Sequence, residues 1–218
     1  MTYWFCSDLH LGHANILKYA GRTLFMTKED LDIYNSLIDK SEEEQRKFII
    51  SQQSLRNMDK TLIRNINERV KKDDILFHIG DFCFRNTIGG KKGEGSLNRA
   101  KYYEKQIKCK AIFLAGNHDK NNGLKTPIQR IVVKLGGKII NLVHDPKYAD
   151  VDYEINFTGH VHQHWSFKRI RKGFSYTDCI NVGVDVNNFY PVNISEILSK
   201  YCRWKKKYEK EIAKNGGQ

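Results

Sequence analysis

Five short motifs carry side chains able to hold divalent cations: Asp8-Leu-His10, Gly80-Asp81, Gly116-Asn-His-Asp119, His144-Asp145 and Gly159-His-Val-His162. Their donors are carboxylate, carboxamide and imidazole, with no thiolate among them. Such a set suits Mn, Fe, Zn, Co or Ni rather than a soft metal. The groups are too many for one ion. They suit two ions about 3.5–4 Å apart that share a bridging carboxylate. In Asp8-x-His10 the two groups stand two residues apart, so on an extended segment both project to one side. The same pair taken alone also fits a surface turn. His160 and His162 repeat the spacing.

Each motif follows a short apolar run with the composition of a buried strand: Thr2–Ser7, Asp74–Ile79, Lys110–Leu114, Lys138–Val143 and Glu154–Thr158. Ligands gather at the C-terminal edge of strands in helix-flanked sheets, and glycine at a strand end lets the chain turn and another group approach closely. Further strands are expected at 165–170 and 176–182. Helices are expected at 14–19, 97–108 and 128–135, and from Asn193 to Lys214. Thr27 and Ser41 are helix caps. They start two helices in a charged stretch, 21–57, read as an inserted lobe or as ordinary surface helices. Leu31, Tyr34, Leu37, Ile38, Phe48, Ile49 and Leu55 form its apolar stripe. An amphipathic helix over 58–70 follows. His78 lies inside a strand, where a core histidine satisfied by backbone or by a neighbour is expected. His13 opens a helix as a substrate contact or a cap. Residues 85–96, rich in glycine and lysine, form either a basic lip over the site or a plain solvent loop.

The 218 residues, 40% of them hydrophobic, suffice for one core. The expectation is therefore a single domain over 1–218. The net charge of +12 favours anionic partners. Five scattered cysteines make neither a disulfide framework nor a zinc ribbon and fit a reducing, cytoplasmic setting. The N-terminal residues lack the pattern of a signal peptide. Nowhere is there an apolar run long enough to insert into a membrane.

Taken together and in this order, the motifs resemble the calcineurin-like metallophosphoesterase superfamily. All five are complete between residues 8 and 162, and Asn181–Pro191 looks like the closing segment of its small phage and bacterial members. The resemblance implies an α/β fold (α+β in some schemes): a four-layer αββα sandwich of two mixed sheets flanked by helices, with a dinuclear site at the strand ends. It implies that Asp8, His10, Asp81 and His162 hold one ion and that Asp81, Asn117, His144 and His160 hold the other. Manganese is the first expectation, with Fe, Zn, Co, Ni or Mg as alternatives. A hydroxide shared by the ions would attack phosphorus. His118 would serve as general acid or hydrogen-bond donor near the leaving group, and Asp119 would orient a neighbour or cap a helix. Protein Ser/Thr phosphatases of the superfamily carry Gly-Asp-x-x-Asp-Arg-Gly. Here Phe84 stands for the second Asp and Asn86 for the last Gly, which argues against that role. Arg85 keeps the arginine position and is expected to contact phosphate.

The expected substrate is a nucleotide or nucleic acid phosphodiester. The alternatives are a phosphomonoester and a non-catalytic scaffold. The basic tail, about 193–218, bears Tyr201, Trp204 and Tyr208. These either stack on bases or pack the tail helix onto the domain while its lysines face water.

Overall fold

The computed structural model describes residues 1–86, 94–120 and 122–214. Two mixed sheets lie against one another and are flanked by helices, in agreement with the αββα expectation. The first contains β1 (Tyr3–Cys6), β2 (Ile75–Ile79), β3 (Lys110–Leu114) and β9 (Val192–Asn193), in the order β3-β2-β1-β9. β1, β2 and β3 are parallel, and β9 runs antiparallel at the edge. The second contains β4 (Arg130–Leu135), β5 (Lys138–Val143), β6 (Ile155–Thr158), β7 (Phe167–Lys172) and β8 (Ser175–Asn181), in the order β4-β5-β6-β8-β7.

Alternation along the strands divides the core. Phe5, Phe77, Ile79 and Leu114 of the first sheet meet Ile140, Leu142, Ile155, Phe157 and Ile180 of the second. Trp4, Cys6 and Leu76 face the other way, onto α1 (Ile16–Tyr19) and α4 (Gln52–Arg69). Each such side chain contributes about 1.5–3 kcal/mol when fully buried. The sandwich thereby fixes the parallel strands β1, β2, β3, β5 and β6 with their C-terminal ends converging.

α2 (Lys28–Ser36) and α3 (Glu42–Lys47) begin at the expected caps. Thr27 accepts from Asp30 N, and Ser41 and Glu44 form a full capping box. The boundary placed at residue 57 lies inside α4, so Leu55 belongs to α4 and not to α3. The helix expected over 97–108 is short, α5 (Ala100–Glu104), and α1 starts only at Ile16.

The helix expected at 128–135 is strand β4, paired antiparallel with β5. Its Ile-Val-Val run is β-branched, and branching restricts χ1 in a helix while suiting a pleated surface. Gly136 and Gly137 both have positive φ (56° and 74°), as a two-residue hairpin turn requires. The Gly-Gly pair was therefore the decisive local signal.

Of the two readings of the tail, the packed one holds. α6 (Ile194–Lys214) buries Tyr201, whose hydroxyl donates to Asp178 at 2.8 Å. Trp204 stacks on Phe167 with centroids 5.6 Å apart, and the Arg169 guanidinium lies 4.8 Å from the Tyr208 ring centroid. Lys206, Lys207 and Lys210 face water. His78 corrects its expectation. It is fully buried against Phe82 and Phe113, and neither ring nitrogen has a hydrogen-bond partner. Burial, with smaller help from His144, pushes its pKa down to about 3, so the ring is neutral.

Candidate metal centre

The loop after β1 is not the extended segment that the Asp8-x-His10 spacing suggested. Asp8 and His10 both have left-handed backbones, φ 58° and 50°. So do Asp81 (58°), His160 (71°) and His162 (46°). Among the described residues, five of the seven non-glycine residues with positive φ are thus metal-competent. Such conformations cost about 1–3 kcal/mol each and persist where the surroundings enforce them. Backbone bonds supply the enforcement. Asp8 N donates to Gly80 O at 3.1 Å and His10 N to Asp81 O at 3.0 Å, while His160 N donates to the Asp8 carboxylate at 3.0 Å.

Two glycines make the loops' approach feasible. A Cβ on Gly80 would come within 2.5 Å of the His144 ring, and Gly80 itself has φ 83°. A Cβ on Gly116 would run into the Asp81 carboxylate and backbone nitrogen. Asp119 then locks these loops together. Its carboxylate accepts from Asp81 N (2.8 Å), Phe82 N (3.1 Å), Gly116 N (2.8 Å) and Asn122 Nδ2 (2.7 Å). It orients neighbours, as one of its two expectations had it.

The ligand groups gather in two clusters: Asp8, His10 and His162, and Asp81, His144 and His160. Within each, the candidate donor atoms all lie within 4.8 Å of one another. Asp81 Oδ2 joins the clusters, 3.5 Å from His10 Nε2 and 3.3 Å from His144 Nε2. Asn117 Oδ1 completes the second, 3.1 Å from His144 Nε2 and 3.0 Å from His160 Nδ1. The alternate pair His160 and His162 is split between them. Divalent cations fit this arrangement. His10 Nε2 is buried and has no hydrogen-bond partner, yet it faces a carboxylate. A cation between them would satisfy both groups.

Charge follows geometry. Burial and the Arg22 charge hold the His10 pKa well below its ordinary value, so the ring is neutral and able to ligate. Burial lifts Asp8. Burial would also lift Asp81, but the His144 bond and charge outweigh it and hold Asp81 down. Burial likewise opposes charge on His144, yet its bond to Asp81 and the nearby Asp8 raise it to about 9.

Two residues that sequence reasoning missed support the first cluster. Asp185 Oδ2 lies 2.8 Å from His162 Nδ1 and so fixes the orientation of a ring that gathers with Asp8 and His10. Arg22 is 1% exposed. It grips Asp185 through Nε and Nη2 (2.8 and 2.9 Å) and donates to the backbone oxygens of Asp8 (2.6 Å) and Leu9 (3.0 Å). Asp185 lies in the singled-out 181–191 stretch, so a trace of it was visible. Arg22, lost in a charged segment, gave no signal.

His118 stands at the mouth, exposed, with its backbone nitrogen on Asp81 Oδ1 (2.9 Å) and its ring 5.1 Å from that of His10. His13 is buried and does not cap: α1 has Asn15 at its N-cap. Its Nδ1 is 3.4 Å from His10 Nδ1, and its ring stacks on Phe84 at 4.5 Å. Burial pushes its pKa down to about 3. Arg85 is half-buried, and its Nε has no hydrogen-bond partner among the described residues. Part of the 85–96 loop, residues 87–93, lies outside the described residues. Its C-terminal end is pinned to the 12–14 segment, by Ala14 N on Glu94 O and Ser96 N on Gly12 O.

The profile of the calcineurin-like phosphoesterases matches residues 1–194. The chain belongs to the calcineurin-like phosphoesterase family. The phosphoesterase is 27% identical over 201 residues to the uncharacterized protein MJ1445 of Methanocaldococcus jannaschii, covering 88% of this chain and 86% of that one. Its fold is similar to that of a protein of unknown function, AQ665, from Aquifex aeolicus. The TM-score is 0.55 at 21% identity, over 91% of this chain and 98% of the other. The chemistry of the family is metal-dependent phosphoester hydrolysis, and the two clusters supply the donors it needs. Among the described residues no helix is long and apolar enough to cross a membrane.

Proposed function

We propose that this phosphoesterase hydrolyses phosphodiesters of nucleotides or nucleic acids. Asp8, His10, Asp81 and His162 hold one divalent ion, and Asp81, Asn117, His144 and His160 hold the other. Manganese is the proposed ion. When bound, the pair of ions acidifies water and neutralises charge on the phosphoryl oxygens. The observation that carries the assignment of ligands is the position of Asp81 Oδ2, within 3.5 Å of a histidine from each cluster.

The chain's own groups do the rest. His118 supplies a proton to the departing oxygen and recovers one from solvent, to which it is exposed. Its backbone bond to Asp81 fixes it beside the clusters. Asp119 holds the loops of Asp81 and Asn117 in register. Arg85 is the proposed phosphate contact, its half-buried guanidinium lying three residues after Phe82. The net charge of +12 supports a polyanionic or nucleotide substrate. Five unpaired cysteines support a reducing, cytoplasmic location. The whole chain serves as one domain in this reading, with α2 and α3 as an inserted lobe.

The test compares Mn²⁺-dependent hydrolysis of bis-p-nitrophenyl phosphate with that of p-nitrophenyl phosphate. A higher kcat/KM for the diester is expected. Preference for the monoester would overturn the diester assignment and leave phosphoester hydrolysis intact.

A further inference from the structure

Beside the metal centre, α1, α2 and α3 enclose a cavity of about 350 Å³, inside the range of small-molecule sites (about 300–1,000 Å³). Three aromatic side chains line it: Tyr19 from the end of α1, Tyr34 from α2 and Phe48 after α3. Leu37 adds an apolar wall. Lys18 builds the join. Its ammonium donates to Phe48 O at 2.7 Å and Gln45 O at 3.4 Å, tying α1 to the end of α3, and it lies 5.7 Å from the Phe48 ring centroid.

The cavity is connected to the metal centre through rings. Tyr19 meets His13 edge-on with centroids 6.4 Å apart, and His13 lies 5.4 Å from the His10 ring and 6.0 Å from that of His118. Tyr19 therefore touches the His13 ring beside the candidate metal ligands and also lines the cavity, and it is 64% exposed.

We infer that this cavity receives a nucleobase of the phosphoester substrate while the phosphate sits at the metal centre. The inference rests on the phosphodiester reading above and adds where the base goes. A lining that draws aromatic side chains from three segments suits a flat π-system, and every base has one. The net charge of +12 suits a ligand that carries phosphate. The cavity's Glu42 is paired with Arg46 at 2.8 Å, so it does not present an unbalanced negative charge. The specificity of the phosphoesterase thus resides in the helical lobe, apart from the groups that break the bond.

The experiment uses the Mn²⁺-loaded full chain and two diesters with one leaving group, methyl p-nitrophenyl phosphate and thymidine 5′-p-nitrophenyl phosphate. Stacking of one base is worth enough for a margin of about tenfold in kcat/KM. The wild type should show that margin. Leu37→Trp, which fills the cavity, and Tyr34→Ala, which removes a face, should each erase it through KM for the nucleoside ester. Thermal unfolding verifies that both variants fold. No margin in the wild type, or a margin that survives both variants, overturns the inference. Should neither diester be cleaved, the diester reading fails, and an NMR titration with thymidine decides the cavity alone. Shifts at Tyr34 and Phe48 that vanish in Leu37→Trp support it, and their absence in the wild type overturns it.

Discussion

Asp8, His10 and His162 stand on a buried Arg22–Asp185 ion pair, whereas Asp81, His144 and His160 open toward the exposed Asn117 and His118. The first cluster is held from behind. Its backbone carbonyl Asp8 O and its His162 ring both end on charged groups that water does not reach. Breaking such a pair strands a charge and costs about 3–5 kcal/mol. The second cluster has no ion pair behind it: Asp81 N donates to the buried Asp119 carboxylate at 2.8 Å, His144 Nδ1 lies 2.8 Å from Ile79 O, and His160 leans on the exposed Asn117. The difference suggests a division of labour, with a firmly built half retaining its ion and an open half meeting substrate.

The largest blow to both halves should come from Asp81→Ala, since one carboxylate serves the two. Turnover is expected to fall by at least about a thousandfold, with metal content below one ion per chain by elemental analysis. Two retained ions would show that Asp81 does not bridge. His118→Ala separates chemistry from metal binding. About a 10²–10⁴-fold loss of kcat is expected with both ions still bound, and loss of the ions would contradict its role at the mouth. Asp185→Asn tests the buried half alone. Freeing the His162 ring should weaken the tighter ion about 10–100-fold and leave the weaker one unchanged.

A smaller effect separates the clusters by pH. In the metal-free chain His144 is raised to about 9 from an ordinary 6.5. A histidine raised on folding stabilises fully below its unfolded pKa, and that contribution is lost as pH rises through the folded one. EDTA-treated protein should therefore show a falling urea midpoint between pH 6.5 and 9. A midpoint that holds steady or rises over that window would mean that the Asp81–His144 contact contributes nothing to stability.

The candidate set was legible because metal chemistry demands particular side chains at strand ends, and strands announce themselves by composition. Asp8, His10, Asp81, Asn117, His144, His160 and His162 all converge as their motifs suggested. The way they converge was hidden. Left-handed backbones at Asp8, His10, Asp81, His160 and His162 leave no mark on residue type, because these are not glycines. Arg22 and Asp185 meet across 163 positions, a contact no local pattern encodes. β4 is hidden in composition because so short an apolar run as Ile-Val-Val fits either periodicity, and only the Gly136-Gly137 turn distinguishes them. The tail shows the converse. Tyr201 and Trp204 bear the residue types that bind bases, yet they are spent on β7 and β8.

A calorimetric titration of metal-free protein with Mn²⁺ tests the two-halved centre most directly, in the wild type and in Asn117→Ala. The wild type should bind two ions with separable affinities. Asn117→Ala should lose or weaken only the second, because Asn117 touches His144 and His160 alone among the proposed ligands. A single ion in the wild type, or the loss of both together in the variant, would contradict a centre built from one sheltered and one open half.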